Sequence, residues 1–233
     1  GVVSASNDRI PEFIPQRGFT ATTRGGLGSG DDSADGAFRI TGGAGNFAVH
    51  ADAFKRHAGD YDTPDGKVAN SFVDNQGFSA GTSYVASNGF MGVSFTRYDA
   101  NYGIAAGESR IDMTQDKVQS RGEWRVNTSG IEAIRYWFGY SDYEHREIEN
   151  ATGDVGSLFL NKEYEGRVEM RHLPVATAFG ELRGAVGTQF GHRKVTAISF
   201  EGDDLLAPAT TKSLAGFWFE ELGRARWFKK SDA

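Results

Sequence analysis

The chain has 233 residues, of which 31 are glycine and none is cysteine, and its formal net charge is −6. The lack of cysteine excludes disulfides, thiolate metal sites and a cysteine nucleophile, and the acidic balance argues against nonspecific binding to nucleic acid, which requires a basic face. No run approaches the ~18 consecutive apolar residues of a transmembrane helix. Strands are therefore the only elements with which this sequence is expected to cross a membrane.

Apolar and polar residues alternate with period two in segment after segment, which indicates β-strands rather than helices. About eleven strands are predicted. In chain order they cover residues 18–28, 37–44, 47–56, 71–86, 90–98, 112–126, 131–143, 158–171, 179–193, 210–221 and 225–229.

The connections between these strands are of two kinds, which alternate along the chain. Tight turns rich in Gly and Asn are predicted at 44–46, 87–89, 127–130 and 222–223, with a slightly longer turn at 173–178, whereas longer and more acidic loops are predicted at 29–36, 57–70, 99–110, 144–157 and 194–209. This alternation places all tight turns at one end of an up-and-down sheet, as in outer-membrane barrels. A Greek-key sandwich has no reason to sort its loops in this way.

Several predicted strands are charged on one side only. In "YEGRVEMRH", Val168 and Met170 share one face with Tyr164, whereas Arg167 and Glu169 lie on the other. A single such strand also fits a soluble sheet with one wet face. Several strands of ~10 residues together with sorted loops favour an all-β, antiparallel up-and-down transmembrane β-barrel with a polar interior. Aromatic residues are then predicted to face lipid: Trp124, Tyr136, Phe138, Phe217 and Phe219.

Particular segments resemble a known family. "GVVSASNDRIPEF" is similar to the end of the plug and the linker of TonB-dependent outer-membrane receptors, and "GDYDTPDGKVANS", "NKEYEGRVEMRHLPV" and "GELRGAVGTQFGHRKV" resemble the barrel of the zinc-uptake and related branch. The resemblance implies a 22-stranded barrel filled by a plug, in the outer membrane of a Gram-negative bacterium. It also implies import of zinc or a siderophore, such as an iron chelate, with no resident cofactor and no catalysis.

By this resemblance, residues 1–16 are the end of the plug and the linker, and residues 17–233 are the first half of the barrel. About eleven of 22 strands would then be present, and transport would belong to the parent receptor. The implied partners are the TonB complex, engaged through an N-terminal region outside this sequence, the metal or metal chelate, and outer-membrane lipid with lipopolysaccharide. The alternatives are a passive porin-like channel and a soluble β-sandwich binding module.

The best local group of metal-ligating side chains is in "DYEHREIE", where a strand is predicted to run into a loop. Imidazole and carboxylate together suit a borderline divalent cation such as Zn²⁺. His145 and Glu147 are two residues apart, so on an extended strand they share a face and are the expected metal ligands. The expected substrate-binding residues are Asp142, Glu144, His145 and Glu147. The alternative is a solvated acidic loop with an incidental histidine, and a His-rich tract that zinc receptors often carry after "NYGI" is replaced here by "AAGESRIDM".

Overall fold

The computed structural model describes residues 7–200, 202 and 205–223, and its regular structure is all β-strand. Within these ranges no helix is long and apolar enough to span a bilayer. The strands are β1 (Phe19–Gly28), β2 (Ser33–Ala44), β3 (Phe47–Ala58), β4 (Asp62–Thr63), β5 (Gly66–Lys67), β6 (Val73–Ala86), β7 (Gly89–Gly103), β8 (Ser109–Thr128), β9 (Ile131–Glu149), β10 (Val155–His172), β11 (Val175–Thr177), β12 (Gly180–Ser199) and β13 (Leu206–Gly223).

Ten long strands form one antiparallel sheet in which neighbours along the chain are neighbours in space. The order is β1-β2-β3-β6-β7-β8-β9-β10-β12, with β13 on the far side of β12 and the three-residue β11 as a short eleventh member. Strands β4 and β5 form a separate two-stranded hairpin inside the connection between β3 and β6. In the described part of the chain the sheet is open, with β1 at one edge and β13 at the other. This is the predicted up-and-down arrangement in partial form.

Ten of the eleven predicted strands are confirmed, and the eleventh, at 225–229, lies outside the described residues. The tight turns are also confirmed at 45–46, 87–88 and 129–130, where two residues join consecutive long strands. Ser129 and Gly130 have φ values of 53° and 80°, the left-handed pair that a type I′ hairpin requires. The prediction of a turn at 222–223 is wrong, because Leu222 and Gly223 are strand residues paired with β12.

Three of the loops at the opposite end are shorter than predicted, whereas the connection 59–72 is as long as the loop predicted at 57–70. The connections 29–32, 104–108 and 150–154 span four or five residues, because the flanking strands remain hydrogen-bonded well into the segments predicted to be loops. Polar residues on both sides of a strand hide its period-two pattern, so the pattern ends before the backbone pairing does.

The two faces of the sheet differ in chemistry. We call the side that carries Val168 the apolar face and the side that carries Arg167 the polar face. The register extends the apolar face across the whole sheet, through Phe38, Val49, Tyr84, Val93, Trp124, Ile134, Phe138, Val168, Val186 and Trp218. These side chains have no second layer over them: Val168 is 46% exposed and Trp218 78%.

The apolar face ends at a row of charged side chains toward the loops. The row is defined by Arg97, Asp116, Asp142, Lys162 and Lys194, which lie directly opposite one another on β7, β8, β9, β10 and β12. We refer to it as the charged row. Between the charged row and the tight turns, this face is dominated by aliphatic, aromatic and small residues.

The prediction that Phe217 and Phe219 face lipid is wrong. Phe217 lies opposite Gly187, which lies opposite Glu169, so both phenylalanines are on the polar face. Trp218 takes the apolar position between them. The side chain of Arg167 lies 4.1 Å from the centre of the Phe217 ring, a cation–π contact that accounts for an aromatic residue on this face.

Candidate functional site

The polar face carries a network of ion pairs across β8, β9 and β10. Arg135 lies between two carboxylates, 2.6 Å from Glu123 and 3.8 Å from Glu169, and Arg167 is 2.7 Å from Glu169. Trp137 lies directly opposite Arg167 on the neighbouring strand. The guanidinium and carboxylate groups are only partly buried, so this wall can stay hydrated.

A segment that precedes the sheet, residues 7–17, lies against this polar face. Arg121 of β8 donates hydrogen bonds to the backbone oxygens of Asn7 at 3.3 Å and Ile10 at 3.2 Å, and it lies 3.0 Å from the carboxylate of Glu12. Ile10 is only 3% exposed. One arginine on the wall therefore holds both the backbone and a side chain of this segment, which we call the inner segment.

The inner segment is also anchored on β2 and β3. Arg9 lies 3.4 Å from Asp52, and the buried His50 joins the same carboxylate at 3.1 Å through Nε2 and the Thr41 hydroxyl at 2.7 Å through Nδ1. His50 is 5% exposed. Its neighbours along β3, Val49 and Ala51, are apolar and lie on the other face, whereas His50 belongs to a hydrogen-bonded network beneath the inner segment.

Two glycines let the inner segment approach the sheet. A Cβ added at Gly81 of β6 would overlap the carbonyl oxygen of Arg9, and one added at Gly92 of β7 would collide with the Ile10 side chain. Both glycines lie on the polar face. The strand sequence therefore leaves room for a backbone that crosses it.

The four expected substrate-binding residues are not brought together on one face. His145 and Glu147 lie on the polar face, as the alternation predicted, whereas Asp142 and Glu144 lie on the apolar side of the sheet. There Asp142 pairs with Lys162 at 2.9 Å and Glu144 with Arg146 at 2.5 Å. All four belong to β9, so the expectation that this group extends into a loop is wrong. Their role in binding stays a prediction.

His145 sits in a partly buried setting on β9 beyond the charged row, on the loop side. Its Nδ1 is 2.9 Å from the Tyr143 hydroxyl, and its ring lies 5.1 Å from that of Phe159 in an edge-on arrangement. Burial lowers the pKa of His145, and the neighbouring Glu147 carboxylate opposes this effect. The lowered pKa favours the neutral imidazole, which is the form that binds a metal.

The structure adds one residue that sequence reasoning missed. Met113 of β8 lies directly opposite His145 on the polar face, so their Cβ atoms are about 4.5–5.5 Å apart, as for directly opposed residues. The chain has three methionines, and the other two, Met91 and Met170, are on the apolar face. The Met113 thioether lies beside the His145 imidazole because of the register between β8 and β9. That register cannot be derived from a single sequence.

The carboxylate of Glu147 lies on the loop side of His145. It accepts a hydrogen bond of 2.9 Å from Ser157 of β10, which orients it. Among the described residues, no group of three or more His, Cys, Asp or Glu side chains is close enough to hold a metal ion. Within the described residues, His145, Met113 and Glu147 therefore do not form a complete metal site.

No protein-family model matches the sequence. Among solved structures, the chain is similar to one described as "Copper transporter OprC", with a TM-score of 0.61 at 11% sequence identity. The likeness covers 84% of this chain and 32% of that chain, so this chain spans about a third of the structure it matches. At this identity the likeness concerns the fold, and it confirms the predicted class: an antiparallel up-and-down sheet of the outer-membrane barrel type, in partial form.

Proposed function

We propose that this chain is part of the wall of an outer-membrane TonB-dependent receptor that imports a metal ion. The observation that carries the proposal is the apolar face, which continues over ten strands without a second layer of protein. Strands about 4.8 Å apart and an apolar band about 25 Å tall give a patch of roughly 1,200 Å². Soluble monomers rarely expose a contiguous apolar patch beyond a few hundred Å². Lipid is the cover that suits such a face.

The polar face supports a receptor more than a passive porin or a soluble binding module. A porin needs an unobstructed wet wall, but here the inner segment crosses the wall and is held by Arg121, Asp52 and Arg39. We therefore propose that residues 1–16 are the end of a plug and its linker. The TonB complex would act on the parent receptor through a region outside this sequence.

The cargo is proposed from the donor set near the loops. Thioether sulfur and imidazole nitrogen together favour copper in its monovalent state, and Met113 and His145 offer this pair from neighbouring strands. The tautomer in which His145 donates its Nδ1 proton to the Tyr143 oxygen leaves the Nε2 lone pair free for a metal. Glu147 on the same strand favours zinc as the second candidate. A plug would supply the remaining ligands. A siderophore lacks a comparable observation in its support.

Metal titration of the full-length receptor in detergent tests this cargo. We expect Met113→Leu to weaken Cu(I) affinity, measured by competition with a chromophoric Cu(I) chelator, by more than the about 10–100-fold typical of losing an outer-shell partner. Zinc affinity should change little, because zinc rarely uses thioether sulfur. His145→Ala should weaken the binding of both metals.

Met91→Leu is the matched control, because it makes the same exchange on the apolar face. Glu147→Gln separates the two metals, since its loss should reduce zinc affinity and spare Cu(I). A receptor that binds Cu(I) equally well with and without Met113 would remove copper from the proposal. Wild-type receptor that binds neither ion would remove the metal-ion cargo altogether.

A further inference from the structure

The charge of the charged row is uneven around the sheet. On β7 to β9 it is acidic, because Arg97, which is 3.3 Å from Asp99 and 3.4 Å from Asp116, is the row's one cation there and Asp142 adds a further carboxylate. From β10 onward it is basic: Lys162 lies directly opposite Lys194, and Lys212 lies one step nearer the tight turns, opposite His192. We call Lys162, Lys194 and Lys212 the lysine patch.

The lysine patch has too few counter-charges within the sheet. Lys162 is 2.9 Å from Asp142, but neither Lys194 nor Lys212 has a carboxylate within ion-pair distance in the described part of the chain. All three side chains are exposed. Like charges directly opposite each other on neighbouring strands destabilise a sheet. An antiparallel Lys162–Lys194 pair is therefore a position where an anion from outside the chain would be stabilising.

The surface below the lysine patch is apolar. On the side toward the tight turns the same strands present Tyr164, Phe190 and Leu214, and the Tyr164 ring stacks on His192 with centroids 4.9 Å apart and planes 4° from parallel. A ligand bound here would meet ammonium groups at one end and an aromatic and aliphatic surface at the other. That combination matches a phosphate head group joined to acyl chains.

We propose that the lysine patch binds the phosphorylated head group of a membrane lipid in the leaflet on the loop side. Lys162 and Lys194 hold a phosphate between β10 and β12, Lys212 holds the same or an adjacent phosphate from β13, and the acyl chains run along Phe190 and Leu214. Lipid binding by the lysine patch rests on one part of the proposed function, namely that the apolar face lies in a membrane. It is independent of the metal site, which lies on the opposite face.

The test is native mass spectrometry of the full-length receptor in detergent, titrated with diphosphoryl lipid A and with the same lipid after removal of its phosphates. Each lysine near an anionic lipid surface contributes about fivefold in affinity. Exchange of all three for Gln should therefore weaken phosphorylated lipid binding by about a hundredfold. The dephosphorylated lipid should bind weakly to both proteins.

Lys55→Gln is the matched control, since Lys55 is an exposed lysine on the apolar side of β3, at the far end of the sheet. Asp142→Asn should act in the opposite direction and strengthen lipid binding, because it removes the carboxylate paired with Lys162. Unchanged folding of each variant is verified by the heat-dependent shift in gel mobility of intact barrels. If the triple variant does not fold, the three single Lys→Gln variants are titrated with lipid in its place.

Two outcomes would overturn the proposal. Equal affinity for the phosphorylated and dephosphorylated lipids would mean that the lysines do not recognise the phosphate group. Full displacement of the lipid by inorganic phosphate would mean that the patch is a simple anion site. A receptor recovered without detergent from the soluble fraction would instead refute the proposed function, so the two failures are distinguishable.

Discussion

At the scale of single residues, the most informative contrast is between Val168 and Arg167, neighbours on β10 that lie on opposite faces. We expect Val168→Arg to impair assembly, because a charged side chain facing lipid near the midplane costs about 2–4 kcal/mol. Equilibrium refolding of the full-length receptor into lipid vesicles, followed by urea titration, measures this cost.

Arg167→Val is the matched exchange in the other direction. It removes the ion pair with Glu169 and the contact with the Phe217 ring, but partly exposed ion pairs contribute only about 0–1 kcal/mol. The cation–π contact contributes about 0.5–1 kcal/mol at an exposed site, so we expect a total loss of at most about 2 kcal/mol. If Arg167→Val were the more damaging of the two, the faces of the sheet would be assigned the wrong way round.

Individual side chains also show where sequence alternation no longer predicts which face of the sheet a residue occupies. For Val168 and Arg167 the pattern of one strand predicts the face correctly. In the run "FWFEE" three aromatic residues follow one another, so alternation alone cannot decide which of them faces lipid. Pairing with β12 decides it, placing Trp218 on the apolar face and Phe217 on the polar face. His145 and Met113 likewise become neighbours only through the register.

At the scale of elements, the inner segment depends on the absence of a side chain at Gly81. We expect Gly81→Ala to displace the Arg9 carbonyl and to loosen the segment, while the sheet itself is retained. Limited trypsin digestion of the full-length receptor measures this loosening as faster cleavage after Arg9 and Arg17.

Gly36→Ala is the control for this substitution, because a Cβ at Gly36 meets no atom within 4 Å and the residue is also in a strand. Its cleavage rate should equal that of the wild type. Equal rates for Gly81→Ala and the wild type would show that the inner segment does not rest on β6.

Strand positions were predictable from periodicity, and strand ends were not. β9 was expected to end at Tyr143 but continues to Glu149, paired with Ser109 of β8. The residues in this extension, "EHREIE", are mostly charged on both sides, as in a loop. Backbone pairing needs no particular side chains, so the ladder continues where composition gives no sign of it.

At the scale of the whole molecule, the fold could be predicted from the sequence because turns, strand lengths and one-sided charge all indicate the same architecture. The open sheet leaves β1 and β13 with one neighbour each in the described residues. Closure would remove these edges, and a barrel of the expected size needs further strands to achieve it. The proposed metal ligands were harder to predict from the sequence, since Met113 and His145 lie on different strands and meet only through the register.

The apolar face predicts where the parent protein is found in the cell. We expect the full-length receptor in the outer-membrane fraction, released by detergent and resistant to high salt, because burial of the apolar band holds it there. Fractionation of cells that express the full-length gene, with a soluble periplasmic protein as the marker, measures this. Recovery in the soluble periplasm or cytosol would contradict it.

Strand pairing continues beyond the charged row, and this determines the kind of surface that an antibody or phage meets at that end of the sheet. From Asp142, β9 stays in the sheet for seven more positions to Glu149, or about 23 Å of strand at about 3.3 Å per residue. The exposed ends are therefore stiff ribbons whose surface is assembled from alternate residues of two or three strands. An antibody or phage that binds them therefore binds a conformational epitope. A linear peptide copied from one ribbon lacks the neighbouring strands that complete this epitope.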